Sequence, residues 1–324
     1  MSDNLLVVYN VCERQRTNLF WYISCLDSLL EQDYPNFKII VSGCAMSHST
    51  KAGLRKRYGN RLWYKTANEM HTVNVTFNHS VRKVAEQVGG FNGYIFVDSG
   101  MNTRNQTFCL SEIGKRSSTR KYGMVTLQSD NDRGFYLPHT GVRHDHIFTG
   151  TEDIEVLAGE ACNLHFQYFD DALLKQYGGL MPDIFKAHCT ESTFSFLNAA
   201  LRLKWVVVPN IVLEHYKSID RPMEGYGDPI KARTVAFDEH GPFGKTWNNL
   251  YNGVDVHTCL ITDEAKALGM GYEECGNIMM HDPSLYDEEG FPKNPKLKDF
   301  IRDNLFLKPS VLDYNKIPCE TTIE

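Results

Sequence analysis

Residues 26–42 read Leu26-Asp27-Ser28-Leu29-Leu30-Glu31-Gln32-Asp33-Tyr34-Pro35-Asn36-Phe37-Lys38-Ile39-Ile40-Val41-Ser42. Leu26, Leu29 and Leu30 share one helical face, and Pro35 ends that helix because proline disfavours helical backbone in the residue before it. Phe37 to Val41 is a short apolar run with the length and β-branched content of a buried strand. A helix, a tight turn and a buried strand in succession form the second half of a strand-helix-strand unit. The first half lies upstream. Leu5 to Tyr9 is a continuous apolar run of the kind a buried parallel strand shows, and Leu19 to Leu30 carries the helical pattern through Leu19, Tyr22, Ile23, Leu26, Leu29 and Leu30.

Downstream the alternation continues. Lys51 to Tyr58 reads as a short basic helix and Leu62 to Tyr64 as a short strand. Val73 to Val88 repeats apolar residues at Val73, Phe77, Val81, Val84 and Val88 and stops at Gly89-Gly90. Tyr94 to Val97 is a third buried strand, ending on Asp98. This order predicts an α/β sandwich, a Rossmann-type arrangement with a mainly parallel central sheet. Ligands of such sheets sit at the carboxyl ends of the strands, where Asp98 falls. The stretch from Asn102 to Gly159 is less regular, with a basic run from Lys115 to Lys121 and a strand at Met124 to Leu127. Leu173 to Tyr177, a helix over Ser192–Leu203 and a strand at Trp205 to Val208 follow. Beyond His215 periodicity is weak, so the sequence divides into 1–215 and a C-terminal extension, 216–324. The first part splits again at 105, and the extension is expected to pack on its second half, 106–215.

The composition, 42% hydrophobic and 23% charged over 324 residues, is that of a globular protein with a full core. A net charge of -6 argues against a wholesale nucleic-acid binder. The longest apolar run, Trp205 to Leu213, is too short to span a bilayer and is broken by Pro209 and Asn210. No CxxC pair occurs among the nine cysteines, and the first residues lack a signal-peptide pattern, so a cytoplasmic location is expected. On that reading the sequons at Asn74, Asn78 and Asn105 are chance matches.

The ordered series Tyr9-Asn10, Gln32-Asp33-Tyr34-Pro35-Asn36-Phe37, Val97-Asp98-Ser99, Gly178-Gly179, Thr190-Glu191, Val208-Pro209 and His215 resembles the family 2 glycosyltransferases of the GT-A fold. It covers about half of the chain. The resemblance implies a nucleoside-diphosphate sugar donor, a UDP-sugar by default, and a glycan or other hydroxyl acceptor. It implies that Tyr9, Asn10, Ser42, Asp98 and Ser99 contact the donor, and that Asp98 holds Mn2+ or Mg2+, with His215 as a further ligand. Glu191 is implied to be the general base that deprotonates the acceptor for an inverting transfer. Two positions depart from the pattern. The second acid of the Asp-x-Asp motif is Gly100, and the second strand ends in Val41-Ser42-Gly43 where the family carries a base-reading acid.

Each of these residues has a plainer reading. Thr190-Glu191 caps a helix start, Asp98 is a turn residue, and His215 is a hydrogen-bonded structural histidine. Arg143-His144-Asp145-His146 is better read as a solvated loop than as a metal site, and Lys115 to Lys121 as a solvated loop rather than a diphosphate grip. Two rival functions remain open from sequence: a non-catalytic binding module built on the same fold, and a glycosyltransferase acting on a modified base in DNA.

Overall fold

The structure, a computed structural model, describes residues 3–13, 19–68, 73–130, 150–156, 165–176, 198, 201–216 and 313–323, with the backbone of 135–137 and 142–144. The first half follows the expected alternation: β1 (Leu5–Cys12), α1 (Leu19–Leu30), β2 (Phe37–Cys44), α2 (His48–Tyr58), β3 (Trp63–Ala67), α3 (Val73–Val88) and β4 (Gly93–Asp98). β5 (Met101–Asn102), α4 (Cys109–Ser117), β6 (Tyr122–Ser129), a hairpin of β7 (Phe135–Leu137) and β8 (Val142–His144), β9 (Ile154–Val156), β10 (Phe166–Asp170), α5 (Asp171–Gln176) and β11 (Lys204–His215) follow, with β12 (Glu320–Thr322) at the end.

The main sheet runs β12-β3-β2-β1-β4-β10-β6-β11-β5, with β9 paired to β11. β3, β2, β1, β4, β6 and β11 point one way, and the antiparallel β10 is inserted between β4 and β6. Side chains alternate across β1 into two cores. Leu5, Val7 and Tyr9 meet Tyr22, Leu26 and Leu29 of α1 and Leu110 and Ile113 of α4. Leu6 and Val8 meet Phe77, Val81 and Val84 of α3. Because β1 is buried on both faces, it reads as an unbroken apolar run.

Helix ends carry their usual chemistry. Ser47 Oγ accepts the Thr50 N–H at the start of α2, and Gly59 closes that helix at φ +50°, a conformation open to glycine at little cost. In β11 the register shifts between Val208 and Val212, around Pro209 and Asn210. A bulge is where a strand tolerates proline, which has no N–H for the ladder. The run expected to end at Val208 therefore continues through the bulge to His215.

The basic run departs from the loop reading. It forms the end of α4 and the turn after it, where Arg116 bonds Asp153 and Glu112, and Arg120 bonds Asp3 at 2.5 Å. Asp3 precedes β1, so this cluster sits at the amino ends of the strands, opposite Asp98. It does not grip a diphosphate placed at the carboxyl ends.

The end of the extension lies against β3 and α3, within residues 1–105. β12 pairs antiparallel with β3 and covers the sheet edge. Tyr314 is buried against α3, where its hydroxyl accepts a hydrogen bond from Asn78 Nδ2 at 2.7 Å and the Arg82 guanidinium lies over its ring. Residues 313–323 thus pack on the first half of the chain and not on 106–215, while residues 217–312, on which the expectation chiefly rests, lie outside the described ones. Asn78 is fully buried, which removes it as a glycosylation acceptor.

Lys65 of β3 stands between Ser42 of β2 and Thr321 of β12. It is wholly buried, and its ammonium has no hydrogen-bond partner among the described residues. Burial lowers its pKa from 10.5 to about 8, with the Cys319 and Cys44 thiols acting weakly in the opposite direction. Because the folded-state pKa lies below the unfolded one, the burial cost is fully felt below pH 8. It disappears as pH rises to 10.5, so stability climbs over that window. Lys65→Met is expected to stabilise the protein by on the order of 3 kcal/mol at pH 7 and to flatten the alkaline rise. Urea midpoints of both proteins at pH 7 and pH 10 check this; a midpoint lowered by the substitution at pH 7 counts against it.

Candidate active site

Three elements converge at the carboxyl edge of the parallel strands. β4 ends on Asp98, His165 immediately precedes β10, and β11 ends on His215. The antiparallel register of β10 on β4 brings His165 beside Asp98, and the Asp98 N–H donates to the His165 carbonyl at 2.8 Å. His165 Nδ1 lies 3.3 Å from Asp98 Oδ2, and His215 Nε2 lies 4.0 Å from the same oxygen. The two imidazoles face each other with centroids 4.2 Å apart. One ligand atom from each residue lies within 4.8 Å of the others. Ligand atoms sharing a first-row divalent ion at about 2.1 Å stand about 3 to 4 Å apart, so one carboxylate and two imidazoles here fit such an ion with small adjustments.

His215 is held from behind. The pairing of β11 with β5 sets His215 opposite Met101, and the Tyr216 N–H donates to the Gly100 carbonyl at 2.8 Å. Asp130 Oδ1 accepts the His215 N–H at 3.1 Å, and Arg104 bridges Asp130 and Glu214. The hydrogen bond from Arg104 holds the Glu214 carboxyl below the usual range, while burial, aided by Glu214, raises the Tyr216 phenol. Arg104 adopts φ +50° and Asn105 φ +65°, left-handed conformations that cost a non-glycine residue and often accompany functional loops.

The structure brings Tyr9, Asn10, Asp98, Ser99 and His215 to one place. Asn10 stands opposite Ser42 on one side and Asp98 on the other. Its Oδ1 is buried and has no hydrogen-bond partner among the described residues, so a donor group of a ligand has an acceptor available there. Tyr9 is wholly buried, and its hydroxyl donates to the Ser99 carbonyl at 2.6 Å; Ser99 Oγ lies 3.4 Å from Asp98 Oδ1. Both support the Asp98 turn. Tyr9→Phe is expected to cost about 1–3 kcal/mol, because it leaves a buried carbonyl without that donor. Chemical denaturation checks the loss, and an unchanged midpoint would remove Tyr9 from this supporting role.

Ser42 departs from its expected place against a base edge. It is fully buried under α3, with its hydroxyl on the Thr76 carbonyl at 3.0 Å and on Ser80 Oγ at 2.5 Å. Those partners satisfy it inside the fold, since serine carries a single donor hydrogen. Glu191, Gly178-Gly179, Asp145 and His146 lie outside the described residues, and Arg143 and His144 are described only as backbone in β8.

His165 escaped the sequence reading. Its only local signal is a histidine just ahead of the apolar run Phe166-Gln167-Tyr168-Phe169. The pairing that gives it meaning joins residues 67 positions apart.

No protein-family model matches the chain, and no curated protein matches it in sequence. Among solved structures, the mannosyltransferase PcManGT from Pyrobaculum calidifontis, in complex with GDP-Man and Mn2+, superposes with a TM-score of 0.50 at 13% identity. The match covers 95% of this chain and 88% of that one. The fold is that of a GT-A glycosyltransferase. S. aureus TarS aligns over 84% of this chain at 15% identity and a TM-score of 0.49, with this chain spanning 46% of TarS. TarS 1-349 in complex with UDP aligns at 15% identity and a TM-score of 0.46, over 84% of this chain and 76% of that one. Scores below 0.5 add nothing to the fold argument. In this fold Asp98 is the last residue of β4, and the two histidines stand around it. Among the described residues, no helix is long and apolar enough to cross a membrane.

Proposed function

We propose that the chain is a glycosyltransferase, hexosyl or pentosyl, that moves a sugar from a nucleoside-diphosphate donor to an acceptor hydroxyl with inversion. The observation that carries this reading is the Asp98–His165–His215 cluster at the carboxyl edge of a GT-A sheet, with the unpartnered Asn10 Oδ1 beside it. Asp98 and His215 would hold a divalent ion, Mn2+ or Mg2+, which supplies charge neutralisation to the departing diphosphate. Asn10 would accept a hydrogen bond from the nucleotide, a UDP-sugar by default. The Glu191 carboxylate would take the acceptor proton as the acceptor oxygen bonds to the anomeric carbon. The bond from that carbon to the diphosphate oxygen breaks, and the nucleoside diphosphate leaves with its electron pair. The Glu191 role rests on the family resemblance alone. A cytoplasmic setting belongs to the same reading.

The test is a panel of UDP-, GDP- and dTDP-sugars incubated with the protein and Mn2+, read as nucleoside diphosphate released by hydrolysis or transfer. Release from at least one donor supports an enzyme. Donor binding without release across the panel points instead to the non-catalytic module. Release that rises only when duplex DNA containing a hydroxymethylated base is added points to the DNA acceptor.

A further inference from the structure

Gly100 stands where the Asp-x-Asp pattern has its second acid, and the structure shows that a side chain there would be crowded. A Cβ on Gly100 would meet His215 Cδ2 at 3.1 Å and the Tyr216 carbonyl oxygen at 3.2 Å. Both neighbours are fixed. The ring is buried to 7% exposure, and the carbonyl belongs to the residue whose N–H bonds Gly100. A side chain at position 100 would therefore press on the imidazole at position 215. Beside His215, a second imidazole reaches the same carboxylate oxygen: His165 Nδ1 lies 3.3 Å from Asp98 Oδ2.

We infer that His165 is the third metal ligand, and that exchanging an acid for imidazole makes the site discriminate against Mg2+. The inference rests on the metal reading proposed above and deepens it. Mg2+ prefers an all-oxygen octahedron and gives up its water reluctantly, whereas imidazole nitrogen favours later transition ions in the order Mn2+ below Co2+. One carboxylate flanked by two imidazoles supplies a single hard ligand and two borderline ones. Co2+ should bind more tightly than Mn2+, and Mg2+ more weakly than Mn2+ by about tenfold or more. Gly100 is then a specificity determinant: it creates the room that His215 fills.

Isothermal titration with Co2+, Mn2+ and Mg2+, together with the visible absorption of the Co2+ form, tests this without any donor or acceptor. The expected affinity order is Co2+, Mn2+, Mg2+, with absorption bands typical of nitrogen ligation. His165→Ala and the closer-shaped His165→Asn should both weaken Co2+ more than tenfold and alter its spectrum, with circular dichroism showing the fold retained. Gly100→Asp alone should weaken metal binding, because the new side chain presses on His215. Gly100→Asp combined with His215→Ala should bind again, with Mg2+ now close to Mn2+. Equal affinity for Mg2+ and Co2+ in the unaltered protein, or a Co2+ spectrum indifferent to His165, overturns the inference while leaving a metal-dependent enzyme intact. Binding of none of the three ions overturns it together with the metal clause of the proposed function, and nucleoside diphosphate release in chelator then decides whether transfer survives.

Discussion

Asp98→Ala is expected to lower kcat/KM for sugar transfer by about three orders of magnitude, and chelation of the unaltered protein should reproduce most of that loss. A divalent ion at a diphosphate contributes several kcal/mol of charge stabilisation as the leaving group departs, and each 1.36 kcal/mol is about tenfold in rate. Asp98 is the only carboxylate of the described cluster, and both histidines are arranged around its Oδ2. Its removal should therefore also abolish the calorimetric signal for Mn2+. Because Asp98 is the last residue of β4 and partly exposed, the substitution leaves the core unaltered, and the thermal midpoint should change little. Near-normal turnover of Asp98→Ala, or turnover unaffected by EDTA, would exclude metal-assisted departure.

Glu191→Gln is the second large effect. The substitution keeps shape and hydrogen-bonding reach but removes the group able to accept the acceptor's proton. General-base catalysis contributes about 10²–10⁴-fold, so kcat should fall by that amount. Donor affinity, measured by titration with the nucleoside diphosphate, should stay within about twofold of the original, because the base acts on the acceptor. A fall in transfer without a change in binding separates loss of chemistry from loss of the site. If turnover persists at more than half its original rate, the base lies elsewhere.

The two effects rest on different kinds of information. Asp98 has a place in space, and its partners can be named with distances. Glu191 has a place only in an ordered series of motifs. In the first half of the chain the two kinds agree, because local patterning is strong there. The helix over Leu19–Leu30 and the strand starting at Phe37 follow from one proline and a few spaced apolar residues, and α3 runs over the predicted Val73–Val88. Strand ends were less legible. β1 continues to Cys12 and β2 to Cys44, since polar Asn10 and Ser42 occupy ladder positions that only pairing reveals.

The candidate site was half legible. Asp98 stood at the end of an apolar run, and His215 ended a β-branched one. The surroundings of Ser42 were not legible, because sequence carries no record of which helix covers a hydroxyl, and here α3 supplies partners in Thr76 and Ser80. The basic run looked available until Asp3, Asp153 and Asp170 were found against its arginines.

What the sequence by itself determined is the alternation of elements, the mainly parallel sheet they make, and the edge at which such sheets place their ligands. Period and turn chemistry act over a few residues, so they are written locally. Tertiary structure alone decided that β10 runs backwards between β4 and β6, which delivers His165 to Asp98. It alone laid β12 against β3 over Lys65, and it alone set Gly100 against His215. These are pairings between residues far apart in the chain. Their energies come from burial and shape at contact, which leave no periodic trace along the sequence.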